Sequence, residues 1–163
     1  MQDPLQIFKT RRSAEMMLRN GDVDAARATL QVNATNEVAA LAAVDQYESA
    51  PRKSPTVGGL LGIFPGAGYW YSGEIANGFR SLILNSLFMY GMYGTAEENL
   101  WGAFGVITFF EATWYSGSIY GGVGAAHRYN KRQLEQCVDE LDVPDVQPSH
   151  NVTIPLFQLK VEF

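Results

Sequence analysis

Apolar and polar positions divide the chain into three stretches of different texture. In the first, apolar residues recur at helical spacing among charges: Leu5, Phe8, Met16 and Met17 form a patchy face behind Asp3, a helix cap, and Pro4, a suitable first helical residue. "NGD" at 20–22 closes that helix, Asp22 caps a second over "VDAARATLQV", and Thr35 or Asn36 caps a third over "EVAALAAVDQYE". "SAPRKSP" at 49–55 reads as a linker. The second stretch is apolar almost throughout. Residues 76–95 hold one charge, Arg80, and residues 99–126 hold one, Glu111, with Glu97 and Glu98 as a short polar tip between them. The first arm makes about 30 Å of helix, the thickness of a hydrocarbon core. A chain of this size has little protein to cover both arms, so the pattern predicts a membrane hairpin. In the third stretch "HRYNKRQLEQCVDELD" continues as helix into water until Pro144 and Pro148. "NVTIPLFQLKVEF" then alternates as an extended segment, with an irregularity near Pro155.

The expected fold is therefore an all-α membrane protein. It comprises a helical module over 1–50, a linker over 51–57, and a re-entrant or amphipathic segment with a two-helix transmembrane hairpin over 58–127. A polar helix and a short extended tail follow over 128–163. Charge follows the same partition. Residues 1–54 carry 14 charged side chains and residues 128–163 carry ten, whereas the 73 residues between carry five. The net charge of -5 argues against a nucleic-acid-binding footprint. Cys137, the single cysteine, excludes an intramolecular disulfide and a cysteine zinc cluster, and reads as a plain thiol on a polar helix. "MQDPLQIFKTRRSAEMML" lacks the continuous apolar run of a signal peptide, although "QDP" also suits a mature start after a removed signal.

The junction between the first two stretches is "GIFPGAGYWYSGEIANG", with Pro65, Gly66, Gly68, Tyr71, Gly73 and Gly78 at fixed spacing. Glycines let backbone turn and approach a neighbouring helix, and Pro65 interrupts regular helix. Tyr69, Trp70 and Tyr71 are side chains that favour the headgroup layer, so residues 58–73 are expected as a shallow re-entrant segment. A phosphate-cradling loop would need a terminal Lys-Ser/Thr pair that is missing here. The segment resembles uncharacterised bacterial envelope proteins with "P-G-x-G-x-x-Y-x-G-x4-G" ahead of a transmembrane hairpin, akin to the two-transmembrane domain family. "WYSGSIYGGVGAAHRYNKR" is similar to the "WYxGNIYGAxxxAxxYN" ending of the same proteins, so the resemblance covers about 56–132. Tyr69 replaces the polar histidine of the two-transmembrane family. Some of these proteins have tetratricopeptide-like N-termini, and "LRNGDVDAARATL" resembles half of such a helical pair, with one partial copy where an array needs about three. The resemblance implies a hairpin fold and no specific activity.

Glu111 is the sharpest candidate for chemistry, since a carboxyl in a spanning helix faces protein or water. Asn85 lies 12 residues before the tip and Glu111 13 after it, at nearly equal depth in antiparallel arms, which predicts an Asn85–Glu111 hydrogen bond. Gly117 and Gly121 make a small-xxx-small pair suited to close helix contact or a homo-oligomer. His127 and His150 have no nucleophile or metal partner nearby in sequence. No catalytic, cofactor or metal residue is assigned. The expected function is a non-enzymatic, membrane-anchored scaffold or adaptor of the bacterial cell envelope. Its partners are the lipid bilayer and a protein held by the N-terminal helices. A small oligomeric channel or transporter with Glu111 lining a polar path is the alternative. Arg52, Lys53, Arg80, Arg128, Lys131 and Arg132 flank the open end, so the positive-inside rule directs both termini to the cytoplasm of the inner membrane. A removed signal peptide would turn them to the periplasm.

Overall fold

Asp22 turns the chain between the first two helices: its carboxylate accepts the Ala25 N–H at 3.0 Å, while Gly21 just before it takes a left-handed φ of 84°. The computed structural model describes residues 4–32 and 37–141, and every regular element in them is helical. The helices are α1 (Pro4–Arg19), α2 (Val23–Gln31), α3 (Val38–Ser49), α4 (Pro55–Leu61), α5 (Ala67–Tyr71), α6 (Ile75–Glu97) and α7 (Trp101–Leu141). The first helix is described from Pro4, with its expected cap Asp3 outside the described residues, and the second follows its Asp22 cap as the pattern predicts. The third differs. Glu37 is its flanking residue, without a side-chain cap bond, and Thr35 and Asn36 lie outside the described residues. Helix α4 begins at Pro55, inside the expected linker, because the Ser54 hydroxyl accepts the Val57 N–H at 3.4 Å and proline suits the first helical position.

Two helices form the predicted hairpin, and the second is longer than its apolar arm. Helix α7 runs unbroken for 41 residues, roughly 60 Å at the α-helical rise. Its far end returns to the N-terminal module. Cys137 and Leu141 join Ala14 and Leu18 of α1, Ala26 and Leu30 of α2, and Ala40 and Val44 of α3 in one buried cluster. The polar helix at 128–141 is thus the closing wall of the N-terminal core. Cys137 is correspondingly no surface thiol: it is 4 % exposed, and burial with Glu140 nearby pushes its pKa up to about 11. The extended tail expected after Pro144 lies outside the described residues.

The hairpin surface is apolar, yet no described helix is long and apolar enough to cross a membrane. Glycine, serine, asparagine and tyrosine dilute α6 and the first half of α7. The predicted hairpin is therefore present as paired helices, while its span does not follow from helix apolarity.

Short helices α4 and α5 lie across α7, and glycine makes that crossing. A Cβ added at Gly58 would sit 2.5 Å from the carbonyl oxygen of Gly122, and one at Gly68 would sit 2.8 Å from the Gly122 Cα. Between the two short helices the chain breaks at 62–66 around Pro65, where Gly66 adopts a φ of 92° and abuts the backbone of Gly78. The irregular segment expected at 58–73 is thus a pair of helical turns seated directly on a neighbouring backbone. Gly122→Ala should lower stability by about 1–3 kcal/mol through overpacking. Gly117→Ala, at a helical glycine with nothing within 4 Å of an added Cβ, should be neutral or gain up to about 1 kcal/mol. Denaturant unfolding of the full chain in mild detergent checks the pair, and equal effects would disprove the crossing.

Candidate functional site: the hairpin seam and its charged mouth

Ser118, on the inner face of α7, ties three segments together. Its hydroxyl donates to the Gly62 carbonyl at 3.1 Å and accepts from the Ser81 hydroxyl at 3.1 Å and the Gly66 N–H at 3.4 Å. The side chain is 3 % exposed, so those partners leave its hydrogen-bonding capacity filled inside the fold. Trp70 packs on Gly78, and its indole N–H donates to the Ile75 carbonyl at 3.3 Å. Tyr71 does not stand free in solvent: its hydroxyl accepts the Ser54 N–H at 3.0 Å and so fixes the start of α4. Gly73, at a φ of 77°, makes the turn into α6.

At the open end, charge is concentrated. Glu74 accepts a two-pronged ion pair from Arg128, with both contacts at 2.8 Å, a third bond from Asn77 at 2.8 Å, and a longer one from Arg132 at 3.6 Å. The Arg128 guanidinium above all holds the Glu74 carboxyl well below its usual range, down to about 2, against the opposing effect of burial. Two residues further along α7, Asn130 clamps the linker backbone: it accepts the Lys53 N–H and donates to the Lys53 carbonyl, both at 2.8 Å. The Lys53 ammonium lies 4.7 Å from the Tyr71 ring centroid and 5.4 Å from that of Tyr129. These contacts fix the linker and the start of α6 against α7.

Asn85 and Glu111 are both buried in the seam, at 0 % and 7 % exposure, as equal depth implies. They do not form the predicted hydrogen bond. The Asn85 amide donates back to the Ser81 carbonyl at 2.7 Å, one turn earlier in its own helix. Its side-chain oxygen and both Glu111 carboxyl oxygens have no hydrogen-bond partner among the described residues. Of the small-residue pair, one member makes a close contact with α5 within the chain. Gly121 is covered by the Tyr69 hydroxyl of the same chain, so only Gly117 faces open space and the pair offers no continuous stripe to a second copy. Pro65, Gly66, Gly68, Tyr71, Gly73 and Gly78 all belong to the crossing and its turns, and Asn85 and Glu111 to the seam beneath.

Ser81, Ser118, Gly122, Glu74, Arg128 and Asn130 carry much of this geometry, yet none stood out as a site in the sequence. Gly122 and Asn130 lie within the "WYSGSIYGGVGAAHRYN" segment, so its spacing was the available signal. Among the described residues no group of three His, Cys, Asp or Glu side chains is placed to hold a metal ion. His127 is exposed, and His150 lies outside the described residues. No known protein family, characterised protein or solved structure matches the chain.

Two outcomes test the site. The depressed Glu74 pKa means that its stabilising pair is fully present above the unfolded carboxyl value of about 4.3 and is lost as pH falls toward the folded value of about 2. Wild type should therefore lose stability between those values, and Glu74→Gln should start weaker and flatten that part of the profile. A parallel profile would remove the pair from the account. In the seam, Glu111→Leu should be neutral or stabilising by up to about 3 kcal/mol, because it removes unsatisfied buried oxygens. Its effect should add to that of Asn85→Leu within about 0.5 kcal/mol. A larger coupling in the double-mutant cycle would restore the hydrogen bond.

Proposed function

We propose that the protein is a non-enzymatic, membrane-anchored scaffold or adaptor: a hairpin held in a bilayer presents a helical module that binds a protein partner. The observation that carries this is the reversal of sides between the two ends of the molecule. In the module Ala and Leu side chains form the buried cluster, the buried Glu37 is held by Arg11 at 2.7 Å, and further ion pairs lie outside, such as Arg27 with Asp45 at 2.6 Å and Arg19 with Glu135 at 3.1 Å. In the hairpin the polar side chains Ser81, Asn85, Glu111 and Ser118 are buried beside glycine and alanine, while Ile83, Leu87, Val106, Phe109 and Phe110 are each more than half exposed. An uncovered apolar surface of this kind needs lipid or protein against it. Low helix hydropathy is compatible with that, because the diluting serine and asparagine side chains at 81, 85 and 118 point inward.

Lipid explains the charge distribution as well. The hairpin flanks carry no charge between Arg80 and Glu97, and Glu111 is turned inward. The basic residues gather at the open end, where Arg128, Arg132 and Lys53 lie close to the module. That placement favours an inner-membrane protein with both termini in the cytoplasm. The module's own exposed apolar side chains, Met16 and Val38 among them, give a protein partner its contact surface. A channel would need Glu111 to line a water path. The groove between α6 and α7 is lined by other residues, which favours the scaffold.

Expressed in bacteria, the protein should stay with membranes through carbonate washing and float with liposomes. Release as a monodisperse monomer would overturn bilayer residence. In a Cys137→Ser background, an impermeant thiol reagent on intact cells should label Glu97→Cys at the tip and leave Asn20→Cys unlabelled; the opposite pattern reverses the orientation.

A further inference from the structure

Between α6 and α7, flanked by α5, lies a groove of about 390 Å³ with a mostly apolar lining. That volume falls within the range of small-molecule sites, about 300–1,000 Å³. Leu84 and Trp114 wall it toward the tip, Tyr69, Asn77 and Arg80 stand toward the open end, and Gly117 lines it between them. Arg80 is the only charged residue in that lining. Its guanidinium is exposed, donates to the side-chain Oδ1 of Asn77 at 3.2 Å, and makes no ion pair among the described residues. The neighbouring cations are engaged elsewhere, Arg128 and Arg132 on Glu74 and Lys53 over two tyrosine rings. Arg80 sits less than two helical turns above Glu74, at the depth of a headgroup phosphate if the open end lies at the bilayer surface. Gly117 leaves the groove unfilled, since an added Cβ there meets nothing within 4 Å.

A free cation at one end and an open apolar trough at the other match one molecule in chemistry. We infer that this groove binds a single anionic phospholipid, its phosphodiester on the Arg80 guanidinium and one acyl chain along Leu84 and Trp114 over Gly117. The Asn77 side chain and the Tyr69 hydroxyl supply further polar contacts for the headgroup. A zwitterionic lipid brings a cationic group to the same place and loses the net attraction. The inference rests on bilayer residence and gives that bilayer a specific lipid.

The test uses the full chain, reconstituted in equal amounts of phosphatidylglycerol and phosphatidylcholine, released in mild detergent and weighed by native mass spectrometry. Phosphatidylglycerol should be retained about fivefold over phosphatidylcholine, the preference expected of one basic side chain. Arg80→Gln should bring the ratio to about one and Arg80→Lys should restore most of it. Gly117→Leu should empty the groove of both lipids with the circular dichroism unchanged. Equal retention by wild type, or a preference that survives Arg80→Gln, overturns the inference. So does competition by glycerol phosphate as effective as that of the lipid, which would mark a simple anion site, or a dimer with no bound lipid, which would mark a helix of a second copy in the groove. Flotation separates the two levels: a protein that fails to float defeats bilayer residence itself, whereas one that floats without lipid preference defeats only the groove.

Discussion

Everything about the hairpin depends on backbone meeting backbone where α4 and α5 cross α7. Gly58, Gly68 and Gly122 bring the chains so close that a methyl group at Gly58 would reach the opposite carbonyl. Without side chains to lose water, that contact has little hydrophobic drive, so it is held by packing and by the Ser118 hydroxyl reaching three segments at once. The crossing in turn sets the distance between α6 and α7, because Gly66 and Gly78 touch in the same layer. Seam, groove and charged mouth all take their positions from it.

Two kinds of interior follow from the one long helix. Where α7 meets the module, alanines and leucines exclude water in the ordinary way. Where it meets α6, the interior is hydroxyl, amide and carboxyl, and some of those atoms have no partner among the described residues. An unsatisfied buried group in the hairpin costs about 1–3 kcal/mol wherever it lies, so the Asn85–Glu111 layer is a weak point that the surrounding contacts hold in place. The Glu74–Arg128 pair and the Asn130 clamp join the two interiors without belonging to either.

The legible parts of the fold were those fixed within a few residues. Asp22 announces its helix because its own side chain makes the bond, and the glycine–proline run announces a break because no other residues tolerate it. Contacts across tens of residues were not legible. Gly122 completes the crossing for Gly58, yet nothing local to either names the other. Asn85 and Glu111 were placed at equal depth by counting, but counting along two helices leaves their rotation open, and the Ser81 carbonyl one turn away competes for the Asn85 amide. The acidic neighbours of Cys137 mask the helical spacing of Leu134 and Leu141, which share its face and pack with it on the module.

The unbroken α7 also makes the molecule a mechanical coupling. One helix is both an arm of the hairpin and a wall of the module, and Arg19–Glu135 and the Lys53–Asn130 clamp fasten the module along it. No hinge separates the two functions. A change in helix tilt of about 10° within the first half would swing the Leu141 end by roughly 5 Å, taking about 30 Å as the radius. Whatever changes that tilt would therefore be felt as a displacement at the module's surface. The long helix is then also a pointer, and the position of its far end reports the angle of its near end.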